Sequence, residues 1–81
     1  MGIEIFTAPD SERCELAKEF LDGLGVGYIE RSVSDPKVMA VFIKRMPEGT
    51  PLPQLFLNGE HLGGYQDLLK ILGSLTEEND T

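Results

Sequence analysis

Cys14 is the only cysteine in the 81-residue chain, and Ser11 precedes it by three residues in the stretch "PDSERC". Thiol–disulfide exchange needs a thiolate that can reach a disulfide sulfur. The residues around Cys14 predict that a strand runs into a helix here, with Ser11 at the helix start and Cys14 one turn inside. Ser11 stands where a second cysteine would complete a C-x-x-C pair, and its hydroxyl has no redox couple. No Ser-His-Asp arrangement is visible to activate it; its residue type suits a helix cap. A two-cysteine cycle is excluded, because one sulfur cannot close a disulfide within one chain. Two readings of Cys14 remain: an inert core thiol that behaves as a small hydrophobe, or a monothiol site that forms mixed disulfides. Asp10, Glu12 and Glu15 give it a negative setting, opposed by Arg13 alone. His61, the single histidine, has no Cys or His partner at metal spacing, so it reads as a surface or strand-edge residue and no metal site is expected.

The elements that would position these groups follow from periodicity. "GIEIFT" alternates, with Ile3 and Ile5 on one face of a short strand. Asp10, Ser11 and Glu12 supply cap candidates for a helix near 11–24, whose apolar face is Leu16, Ala17, Phe20, Leu21 and Leu24. "GLGVG" ends it, and "YIERSV" is a second strand. Ser34 or Asp35 caps a second helix with Pro36 in its first turn, and Val38, Val41 and Phe42 form its expected buried stripe. "PEGTPLP" must be irregular. Two short strands flank Asn58-Gly59, a strong hairpin signal. A third helix carries Leu68, Leu69, Ile71, Leu72 and Leu75, and "TEEND" reads as a polar, frayed end. The order β-α-β-α-β-β-α predicts an α/β fold with a four-stranded mixed sheet and helices on both faces.

Composition bounds the function classes. Eighty-one residues suit a single domain, 1–81, stabilised by apolar packing and not by a disulfide. The formal net charge is −7, and no basic cluster exceeds Lys44-Arg45. Nucleic acid and anionic membrane surfaces are therefore not expected as partners. "MGIEIFTAPD" lacks the regions of a signal peptide, and no apolar run approaches the ~20 residues of a membrane span. A lone cysteine fits a reducing compartment, and the expectation is a cytoplasmic monomer.

Three separated segments resemble the glutaredoxins of the thioredoxin fold. "IEIFTAPDSERCELAKEFLDGLGVGYIE" is similar to their strand, active-site loop and first helix. "PLPQLFLNGEHLGG" resembles their T-V-P-Q-x-F-I segment, whose proline is typically cis. "GGYQDLLKIL" looks like their G-G-x-x-D-L helix start. Laid on C-P-Y-C, Ser11 takes the nucleophile's place, Glu12 and Arg13 replace Pro-Tyr, and Cys14 keeps the resolving position. Ala8 stands where the family commonly has a lysine for glutathione, and the loop "RMPEGT" is about a residue longer.

The resemblance implies a glutaredoxin-like protein in glutathione redox chemistry and cell redox homeostasis, with weak or altered oxidoreductase activity centred on Cys14. Glutathione, or a glutathionylated or disulfide-bearing protein, would be the partner. The residue before the cis-proline, Leu52 before Pro53, would offer its backbone to the cysteine of glutathione. Gly64 and Gln66 would offer N–H groups to the γ-glutamyl carboxylate, with Asp67 on its amino group. Each has a plainer reading, Gly64 as a turn and Asp67 as a first-turn acid. Lys37, Lys44 or Lys70 would have to replace the missing lysine, and Tyr65 lines the cleft or packs. Cluster binding in monothiol relatives uses the first cysteine, absent here, so no cluster is assigned. The alternative is a non-catalytic binding module that recognises glutathione or a partner peptide in the same cleft.

Overall fold

The computed structural model describes the backbone of residues 2–78 and the side chains of residues 2–71. Seven elements follow in the order β1 (Ile3–Thr7), α1 (Glu12–Gly23), β2 (Ile29–Ser32), α2 (Pro36–Arg45), β3 (Gln54–Leu57), β4 (Glu60–Gly64) and α3 (Tyr65–Glu78). The sheet order is β2-β1-β3-β4. β1 pairs parallel with β2, Ile5 opposite Glu30, and antiparallel with β3, Ile5 opposite Leu55. β3 and β4 form the expected hairpin, and Asn58 (φ 51°) and Gly59 (φ 84°) turn it through left-handed backbone that these two residue types tolerate best. The ladder skips Leu62, a bulge that leaves Leu55 opposite Gly63 and Phe56 opposite His61.

Each helix is bounded by a local device. Ser11, in extended conformation, accepts from the Cys14 N–H at 3.3 Å and caps α1. At the other end Gly25 (φ 71°) is the left-handed C′ residue. Its N–H bonds Asp22 and the Val26 N–H bonds Leu21, the paired bonds of a Schellman motif. Asp35 caps α2 by accepting from the Lys37 N–H at 2.9 Å, with Pro36 in the first turn.

Alternation along β1 divides the core between the two sheet faces. Ile5 packs with Ala17 and Leu21 of α1, Leu55 of β3 and Leu68 of α3. Phe6 packs on the opposite face with Phe42 of α2 and Phe56 of β3, its ring centroid 5.5 Å from each of theirs. The expected stripe of α2 needs correction. Phe42 is buried and Val38 half-buried, but Val41 is 40% exposed. The phenylalanine cluster fixes the rotation of α2, and Val41 falls outside the contact. The apolar run of α3 extends to Leu72 and Leu75, whose side chains lie outside the described residues; Thr76–Glu78 continue the helix, and Asn79–Thr81 are not described. Among the described residues no helix is long and apolar enough to cross a membrane.

Candidate functional site

α1 begins after a turn in which Asp10 takes a left-handed conformation, φ 58°. That turn sets Ser11, Glu12, Arg13 and Cys14 at the end of β1. The Cys14 side chain points into the protein: the residue is fully buried, 0% exposed, and its Sγ accepts from the Ala8 N–H at 3.4 Å. Ser11 Oγ is engaged in capping. Neither side chain lines the adjoining cleft.

That cleft, about 300 Å³, lies between the start of α1, the loop before β3 and the β4–α3 junction. Leu52 and Pro53 form one wall, joined by a cis peptide bond as the resemblance implied. Gly64, Gln66 and Asp67 form another, so all five residues expected to bind substrate line one cavity. Tyr65 lines it and also packs against the Ile5–Leu68 cluster.

Gly64 precedes the first residue of α3, and its N–H donates to Asp67 Oδ2 at 3.0 Å. This is the acidic half of a capping box, so Asp67 performs a structural task and that N–H is occupied. The next N–H groups, of Tyr65, Gln66 and Asp67, are the helix-start donors that have no acceptor within the helix. Gly63, with φ 131°, runs so close to Asp67 that any Cβ there would collide with the carboxylate. A Cβ on Gly64 would crowd Gln54 Nε2 at 3.1 Å.

Three cleft features were not legible in the sequence. Gln54, only 5% exposed, donates through Nε2 to the Pro51 carbonyl at 2.8 Å and shares a 2.7 Å bond between its Oε1 and His61 Nε2. His61 therefore lines the cleft and braces the proline loop through Gln54. Arg13 also lines the cleft, its guanidinium carbon 5.6 Å from the Tyr65 ring centre. The sequence shows Arg13 as a counter-charge near Cys14 and as the replacement of the motif tyrosine, without a place in the cleft. Its position between the two motif residues is the signal that could have found it. Lys37, Lys44 and Lys70 do not line the cleft; Lys37 borders a separate recess with Glu4, Arg31 and Arg45.

Two carboxylates stabilise the sheet beside the site. Glu30 accepts from the buried Thr7 hydroxyl at 2.8 Å and from Lys18 at 3.1 Å. The Thr7 hydrogen bond first, with Lys18 assisting, holds its carboxyl below the ordinary range against the opposing effect of burial. Glu4 is held below its usual value chiefly by the hydrogen bond from Arg31, with burial opposing and Arg45 assisting. Among the described residues no group of His, Cys, Asp and Glu side chains is placed to hold a metal ion.

The Glutaredoxin family model matches residues 3–62. The chain is 30% identical over 71 residues to the glutaredoxin of Neisseria meningitidis serogroup A, covering 85% of this chain and 82% of that one. It is 34% identical over 69 residues to the hybrid peroxiredoxin hyPrx5 of Haemophilus influenzae, covering 85% of this chain but 28% of that longer protein. Among solved structures, the glutaredoxin of Brucella melitensis superposes with a TM-score of 0.76 at 25% identity, covering 98% of this chain and 86% of that one. The buckwheat glutaredoxin–glutathione complex shares the fold, with a TM-score of 0.74 at 18% identity over 89% of this chain and 68% of that one. The family model runs from β1 into β4, and the structural likeness covers most of the chain. The chain belongs to the glutaredoxin family.

Proposed function

We propose that the chain is a single glutaredoxin-like domain that binds glutathione, or the glutathionyl group of a modified protein, in the cleft beside Leu52 and Pro53. There it carries out thiol–disulfide exchange slowly, as a monothiol, through Cys14. Glutaredoxins are thiol redox proteins that use glutathione as substrate. The observation that carries the reading is a contrast: the cleft is open and lined by Leu52, Pro53, Gly64, Gln66 and Asp67, while Cys14 is 0% exposed.

The binding half rests on backbone groups and charges. Leu52 offers main-chain donors and acceptors to the cysteinyl residue of the ligand, a recognition that tolerates side-chain change. The N–H groups of Tyr65 and Gln66 at the α3 start suit a carboxylate, and the Asp67 carboxylate suits an ammonium. The exchange half runs through local opening. When the first turn of α1 lifts, the Cys14 thiol gives its proton to water. Its thiolate then attacks one sulfur of oxidised glutathione, the S–S bond breaks, and a glutathione thiolate leaves. Ser11, in the family nucleophile's position, holds that turn closed and takes no part in electron transfer. A reducing cytoplasmic setting and a monomeric state complete the proposal.

The burial of Cys14 favours a second reading, a binding module that recognises glutathione or a partner peptide and exchanges no electrons. Two measurements on the same protein separate them. Amide NMR titration with glutathione is expected to shift Leu52, Gly64 and Asp67. Intact mass after incubation with oxidised glutathione is expected to show one slow glutathione adduct. Shifts without an adduct establish the binding module, and absence of both sinks the proposal.

A further inference from the structure

Glutathione carries two carboxylates and one ammonium, and it must approach a chain of net charge −7. A cation in the cleft would favour that approach, and Ala8, three residues before Ser11, supplies none. Of the side chains that line the cleft, Arg13 alone belongs to the lysines and arginines. The others with described ion pairs are committed elsewhere: Lys18 to Glu15 and Glu30, Arg31 and Arg45 to Glu4. Among the described residues no carboxylate is paired with Arg13. It also stands in the first turn of α1, where the helix dipole disfavours a cation. Nothing in α1 accounts for a guanidinium there; the cleft does.

Building on the glutathione reading above, we infer that Arg13 is a substrate-positioning residue that receives the α-carboxylate of the γ-glutamyl group, displayed across the cleft by its stacking on Tyr65. The Cζ of Arg13 lies 5.6 Å from the Tyr65 ring centre, and Tyr65 is the first residue of α3, next to Gly64. The stack leaves the guanidinium edge able to donate two parallel N–H bonds to one carboxylate. Asp67, on the same junction, presents the opposite charge. Arg13 and Asp67 thus complement the paired carboxylate and ammonium of an α-amino-acid head, which glutathione has only at its γ-glutamyl end. The specificity belongs to γ-glutamyl ligands, and the glycyl carboxylate is left to solvent.

Calorimetric titration with S-methylglutathione, which cannot exchange, tests this on the full chain. Arg13→Ala is expected to weaken binding about tenfold, or ~1.4 kcal/mol, and Arg13→Lys to recover part of the loss. The same factor is expected with the glycyl ethyl ester of S-methylglutathione, whose distal carboxylate is blocked. Equal affinity of wild type and Arg13→Ala for both ligands overturns the inference while leaving the cleft's function intact. A loss that disappears with the ester also overturns it, by assigning Arg13 to the glycyl end. Failure of the wild type to bind either ligand brings down the functional reading itself. Arg13 is exposed, so the variants keep the fold, and an unchanged amide spectrum outside the cleft verifies this.

Discussion

The Ser11 hydroxyl accepts the Cys14 N–H at 3.3 Å, so the residue at the outer motif position fastens the helical turn that buries the sulfur. In a dithiol site the outer residue would be the nucleophile; here it is the clasp. Removing the clasp has two linked consequences. Ser11→Ala is expected to lower stability by about 1 kcal/mol, a fall in Tm of roughly 4–8 °C for a domain of this size. Since opening of that turn exposes Cys14, its glutathionylation is expected to accelerate about fivefold. Ser11→Asp keeps a cap and should show neither effect. Thermal unfolding and adduct formation by mass spectrometry check the pair.

Ser11→Cys places a thiol at the N-terminus of α1, where unpaired N–H groups and the dipole favour a thiolate. Exchange with oxidised glutathione is expected to rise by at least about 100-fold. The product would then collapse to an internal disulfide between the new thiol and Cys14. Stopped-flow exchange kinetics and thiol counting read both. An unchanged rate would show that the loss of chemistry lies in the cleft and not at position 11.

Gly63 is held at φ 131° with Asp67 against it. Gly63→Ala is expected to destabilise by about 2 kcal/mol or more, combining an unfavourable backbone with displacement of the carboxylate that caps α3. Urea unfolding gives the stability, and glutathione affinity should fall in parallel if, as proposed, the Asp67 carboxylate also receives the ligand's ammonium.

Glu4 joins β1 to Arg31 of β2 at 2.5 Å and to Arg45 of α2 at 3.5 Å, with 17% of its side chain exposed. Its carboxyl is held below the ordinary range in the folded protein, first by the Arg31 hydrogen bond. A lowered folded value means that this stabilisation is present above the unfolded carboxyl's pKa, about 4.3, and is lost as pH falls through the folded value. Glu4→Gln should melt about 5 °C below the wild type at pH 7. The gap should close progressively below about pH 4. A gap that stays constant down to pH 2 would assign the loss to packing and not to charge.

Much of this architecture was legible because short-range rules settled it. The Ser11 cap, Pro36 in the first turn of α2 and the Asn58-Gly59 turn are local grammar, and each was found where the sequence put it. Val41 was misassigned because spacing alone admits neighbouring helix rotations, and the contact of Phe42 with Phe6, distant in sequence, chooses between them. His61 is exposed on the edge strand β4 as expected, but its contact in the cleft, like that of Arg13, escaped for the same reason. Arg13 meets Tyr65, and His61 meets Gln54, only after α3 docks on α1 and β4 pairs with β3. The departure at Ser11 was visible as a residue type, but the burial of Cys14 and the engagement of Gly64 by Asp67 are tertiary facts.

The most direct test compares the rate at which oxidised glutathione modifies Cys14 in the folded protein with the rate in urea, where the thiol is free. If the folded structure occludes the sulfur while the cleft stays open, native modification is slower by at least about 100-fold. Under the same native conditions S-methylglutathione still shifts the amide signals of Leu52, Gly64 and Asp67. Modification of the folded protein as fast as the unfolded chain would contradict the account at its centre.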